Sequence, residues 1–92
     1  MSREDQDRYA AESYRRALAA QAAGKFEDEI LKVEIPQRKG EPKVFWQDEC
    51  PMPTSYEQLA KMKPAFKQGG VTTAGNASII SDGAAAVVVM SR

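Results

Sequence analysis

An α+β arrangement is what this 92-residue chain predicts, on three observations. A long alanine-rich stretch opens on helix-capping residues and closes on a glycine. Two short runs of alternating apolar residues flank a polar turn, the pattern of a β-hairpin. A glycine-rich loop then leads into seven consecutive apolar residues at 84–90, the pattern of a strand covered on both faces.

The first element is expected from Ser2 to about Ala23. Ser2 can cap the first turn, with Asp5 three residues on and Glu4, Asp5 and Asp7 near the positive end of the helix dipole. Ala10, Tyr14, Ala17, Leu18, Gln21, Ala22 and Phe26 recur at helical spacing. Gly24 is a natural left-handed cap at the far end. Arg3, Asp7, Arg8, Glu12, Arg15 and Arg16 read as a solvated charged face, and Tyr9, Tyr14 and Phe26 as packing residues.

Residues 30–35 and 43–47 are the expected hairpin strands. Leu31, Val33 and Ile35 fall on one face, and Pro36 stops the first strand. Pro51 and Pro53 end the second, because proline has no ladder donor. Thr54 or Ser55 then caps a short helix over 56–62 that ends before Pro64. Residues 68–78 are small, polar and glycine-rich, a loop whose backbone can approach another group closely. The apolar run at 84–90 needs more cover than two helices and one hairpin supply, so it is expected to belong to a larger sheet.

Charge and composition exclude several functions. Thirteen basic residues balance thirteen acidic ones, so neither nucleic acid nor an anionic membrane is an expected partner. The apolar run is far short of the ~20 residues of a membrane helix. Met1 leads straight into charged residues, with no leader pattern. With no histidine and Cys50 alone, the commonest general base, a cysteine-rich zinc site and an internal disulfide are all excluded. No metal and no covalently bound cofactor are expected. A lone thiol fits a reducing, intracellular compartment.

The stretch from Gly70 to Ala86 runs GVTTAGNASIISDGAAA, and it closely resembles a signature of the thiolase family. Four further segments follow that family in order: SREDQD from Ser2, AAGKFEDEI from Ala22, DECPMP from Asp48 and LAKMKPAF from Leu59. The resemblance covers nearly the whole chain. It implies part of a thiolase fold: residues 1–83 in the loop domain that covers coenzyme A, and 84–92 a strand of the N-terminal core sheet. It further implies a parent that transfers acyl groups between acyl-CoA molecules, in lipid metabolism such as fatty acid β-oxidation. Coenzyme A or acyl-CoA is then substrate, the remainder of the thiolase chain is a partner, and the parent is a homodimer or homotetramer. Cytosol, mitochondrion and peroxisome all host such enzymes.

By the same resemblance Ser78 contacts the pantetheine, with Ala74 and Ile80 lining its channel. Met62, Ala65 and Phe66 flank the coenzyme, although their helix-end spacing equally suits core residues. Thr54 lies near the nucleotide end. Met52 stands where the family carries arginine, and methionine cannot pair with phosphate. The family's catalytic cysteines and histidine have no counterpart here, and Cys50 falls at a position outside that set. The chain alone is therefore expected to be inactive. Two other readings stand beside this one: a non-enzymatic acyl-CoA-binding or structural module, and a truncated gene product, which the Met1 start favours.

Overall fold

The computed structural model describes residues 1–91. Helix α1 spans Arg3–Ala22 and begins on a full capping box. The Ser2 hydroxyl accepts from the Asp5 N–H at 3.1 Å, and the Asp5 carboxylate accepts from the Ser2 N–H at 3.2 Å. Its other end is a Schellman closure: Lys25 N–H reaches the Ala20 carbonyl and Gly24 N–H the Gln21 carbonyl, each at 3.0 Å. Gly24 has φ 65°, so a residue free of the Cβ penalty is needed there.

Strands β1 (Val33–Ile35) and β2 (Lys43–Phe45) pair antiparallel, with Val33 opposite Phe45 and Ile35 opposite Lys43. Both are shorter than the expected runs at 30–35 and 43–47. A two-stranded ribbon without a covering layer is marginal, so only its central residues pair. Leu31, Val33, Ile35, Val44, Phe45 and Trp46 all remain exposed.

Helix α2 (Tyr56–Ala60) carries its own capping box, Ser55 with Gln58, and stops two residues before the expected Met62. It packs on α1, where the Arg8 guanidinium sits 4.6 Å from the centre of the Tyr56 ring. Leu59, 2% exposed, is the one fully buried apolar side chain among the described residues. A loop over 63–83 then folds back against both helices.

Three expectations are corrected. The strand expected at 84–90 does not form: this segment has no regular structure, and Val87, Val88, Val89 and Met90 lie in solvent. A strand without a neighbour leaves its backbone groups to water, and no edge is offered to it here. Arg92, the last residue of the expected core-sheet segment, lies outside the described residues. The solvated face expected on α1 fails at Arg3 and Asp7, because that side of the helix meets the returning loop. Tyr9 does not pack but is exposed, and Phe26, just past the helix end, is only partly covered.

Candidate functional site

The glycine-rich loop is held by side chains from three directions. Asp7, on the second turn of α1, is 1% exposed and uses both carboxylate oxygens. Its Oδ2 accepts from Arg3 Nε at 2.6 Å, and its Oδ1 accepts from Asn76 Nδ2 at 2.8 Å. Arg3 reaches onward, donating through Nη2 to the carbonyls of Leu59 and Met62, both at 2.9 Å. The Leu59 carbonyl is in the last turn of α2, where it also accepts the Met62 N–H at 3.0 Å, and Met62 lies just past the helix end. One guanidinium therefore joins α1 to α2 and neutralises the buried carboxylate.

Within the loop, Thr73 is wholly buried. Its N–H donates to Asn76 Oδ1 at 2.7 Å, and its carbonyl accepts the N–H of Ala77 at 3.0 Å. The Gly75 N–H donates to Thr73 Oγ1 at 3.3 Å. Asn76 Nδ2 also donates to the Val71 carbonyl at 3.0 Å, so one amide ties both limbs of the turn. At the loop base the Ala65 N–H donates to the Thr72 carbonyl at 2.9 Å. Among the described residues, no buried side-chain polar atom is left without a partner.

Gly75 is required for space rather than for dihedral angle. A Cβ there would lie 2.5 Å from Leu59 Cδ2 and 2.6 Å from Met62 Sδ. The close approach foreseen for this loop is made, at Gly75, to helix α2.

Where the loop leaves this anchor it borders a cleft of about 420 Å³. The cleft is lined by Tyr9, Ala10, Ser13 and Tyr14 of α1 and by residues 75–79. Its size is within the range of small-molecule sites, and hydroxyl-bearing residues line both walls. Of the expected site residues, Ser78 alone lines the cleft. Met62 and Ala65 are tied to the loop through Gly75 and Thr72, as described. Ala74, Phe66 and Ile80 are exposed outside the cleft, Ile80 completely. Thr54 is half-buried just before the α2 cap.

Sequence reasoning missed Arg3, Asp7, Thr73 and Asn76 as a unit. The Arg3–Asp7 spacing of one helical turn was a visible signal for the ion pair, but nothing local announces its burial. Among the described residues no cluster could hold a metal ion, and no helix is long and apolar enough to cross a membrane. Cys50 is exposed in a turn where its N–H donates to Asp48 Oδ1 at 2.9 Å. A hydrogen bond from the thiol to Asp48, with partial desolvation and the charges of Asp48 and Glu49, pushes its pKa up. That is the reverse of an activated nucleophile.

A helix, a hairpin and a capped short helix fold around a pinned TAGNAS loop, and comparison with known proteins fixes the family. The model of the thiolase N-terminal domain matches residues 1–92, and the chain belongs to the thiolase family. It is 59% identical over 90 residues to the acetyl-CoA acetyltransferase of Allochromatium vinosum, covering 97% of this chain and 23% of that one. The crystal structure of the Bacillus anthracis acetyl-CoA acetyltransferase superposes with a TM-score of 0.80 at 43% identity, over 85% of this chain and 20% of that one. The dimeric peroxisomal thiolase of Saccharomyces cerevisiae gives 0.79 at 46% identity, over 89% and 20% respectively. The chain thus spans about a quarter of the length of the relatives it matches.

Proposed function

We propose that this chain supplies the coenzyme A-covering part of a thiolase, with residues 1–83 in the loop domain and 84–92 entering the core sheet of the whole enzyme. The parent transfers acyl groups between acyl-CoA molecules, and the work of this segment is to bind and orient the coenzyme. One observation carries the reading. The polar side chains at the anchor, Thr73 and Asn76 of the loop and Asp7 of α1, are all consumed in holding it, whereas the Ser78 hydroxyl makes no hydrogen bond among the described residues and borders the cleft. A rigid loop presenting one uncommitted hydroxyl between small neighbours suits the amide groups of pantetheine.

Ala74 and Ile80 would line the pantetheine channel, with Met62, Ala65 and Phe66 flanking the coenzyme and Thr54 towards its nucleotide. No catalytic residue is assigned to this chain. Coenzyme binding still serves turnover, since binding energy from remote groups is used at the reacting centre. The remainder of the thiolase chain is the first partner, and the dimeric yeast relative supports a homo-oligomeric parent in an intracellular compartment.

The test replaces the matching segment of the Allochromatium vinosum enzyme with these 92 residues and measures thiolysis. Ser78→Ala should weaken coenzyme A binding by about 1 kcal/mol, one neutral hydrogen bond. Cys50→Ser should leave turnover nearly unchanged. Loss of acylation in Cys50→Ser with no effect of Ser78→Ala would refute both assignments.

A further inference from the structure

We propose that Asp7 and Asn76 are the positioning pair of the loop that carries Ser78, an inference whose functional half rests on the coenzyme A reading above. Asp7 is nearly inaccessible and belongs to α1, while Asn76 lies 69 residues away in sequence. Their 2.8 Å bond is the polar side-chain link between that helix and the turn. Asn76 spends the rest of its amide on the turn itself, donating to the Val71 carbonyl and accepting from the Thr73 N–H. Ser78 follows two residues later, so its place over the cleft is inherited from Asn76. Arg3 fixes the other oxygen of Asp7 and at the same time grips the end of α2, against which Gly75 rests. Three elements therefore meet at one carboxylate.

Neither residue is placed to touch substrate; each acts through Ser78. Asn76→Asp keeps the acceptor for the Thr73 N–H, loses both donations and sets a second carboxylate against Asp7. The reciprocal change Asp7→Asn returns a donor to that contact while keeping an acceptor for Arg3 Nε. The exchanged pair should therefore recover the contact between α1 and the turn, while the donation to the Val71 carbonyl stays lost, and such a partial rescue is one that general destabilisation does not predict.

Two measurements test this. In the segment-replaced enzyme, amide exchange should show Asn76→Asp lowering protection at Thr73 and Ala77 by on the order of tenfold, with Leu18 in α1 unchanged. The double variant Asp7→Asn/Asn76→Asp should restore part of it, the Val71 bond remaining lost. If Asn76→Asp unfolds the chain, refolding of the double variant supports the pair, and a double variant as unfolded as the single one overturns it. In the same enzyme, Asn76→Asp should raise KM for coenzyme A by on the order of tenfold with kcat nearly unchanged, and the double variant should reverse part of this. A merely structural residue would lower kcat through loss of folded enzyme and leave KM alone. If Ser78→Ala raises KM and Asn76→Asp does not, the inference falls. If Ser78→Ala also leaves KM unchanged, it is the coenzyme reading that fails, and amide exchange alone decides the positioning pair.

Discussion

Single side chains in this molecule divide into those spent on the loop anchor and those left in water. Gly75 is of the first kind. Gly75→Ala pushes Leu59 and Met62 aside, and overpacking of this sort costs about 1–3 kcal/mol, to be read as a lower urea midpoint of the segment-replaced enzyme. Glu12 is of the second kind. Hydrogen bonds from Arg15 and then Arg16 lower its pKa from 4.5 to about 2. Because the folded value is the depressed one, the contribution of Glu12 to stability is present above the ordinary carboxylate range. It is lost as pH falls from about 4.5 through about 2. A carbon-detected titration of the Glu12 carboxyl should show this, and Arg15→Gln should move the midpoint back up. The effect on stability itself should be slight, since all three side chains stand in solvent. Cys50, with its thiol pKa raised, should alkylate with iodoacetamide at pH 8 more slowly than an unstructured cysteine peptide does.

Elements form here in proportion to how local their signals are. The bounds of α1 were legible because Ser2 with Asp5, and Gly24 with Lys25, set its two ends within five residues. The same holds for the start of α2 at Ser55. Ser55→Ala should cost about 1 kcal/mol and loosen α2, seen as faster exchange of the Leu59 amide, because that serine supplies half of the capping box. The hairpin was legible in kind but not in length, since pairing beyond three residues needs a layer to cover Leu31 and Trp46. The segment at 84–90 reads as a strand by composition, yet strand is a property of a pair, and no described residue pairs with it. The anchor was illegible for a related reason. A charge at a helical surface position looks the same in sequence whether water or Asn76 faces it. The wall of the cleft was legible only through resemblance, by which Ser78 was named.

At the scale of the whole molecule, the fold is spread out. Its radius of gyration is 18.0 Å, against about 12 Å for a compact domain of this length. Its accessible surface is 8511 Å², against about 5,300 Å² for a compact monomer of its mass. One buried leucine cannot offset the ordering entropy of ninety residues, and most of the apolar surface is left in solvent. The chain alone should therefore melt broadly and self-associate through 84–90, which has high β-propensity, no charge and no proline. Sedimentation velocity should show association for the wild-type chain and largely monomer for Val88→Lys. A monomer with one sharp transition and strongly protected amides at 84–90 would show instead that the chain closes its own core.

The distance along the chain between Asp7 and Asn76 sets a clock during synthesis. At ribosomal rates of about 5–20 residues per second, the partner of Asp7 appears roughly 3–14 s after Asp7 itself. Through that interval α1 must persist with its future buried carboxylate facing water. What it has to draw on is already complete within its own first sixteen residues: the Ser2 capping box and the Glu4–Arg8, Glu12–Arg15 and Glu12–Arg16 pairs. The exposed pairs that add little to the finished fold are thus the local interactions α1 can draw on before the loop that buries Asp7 is made.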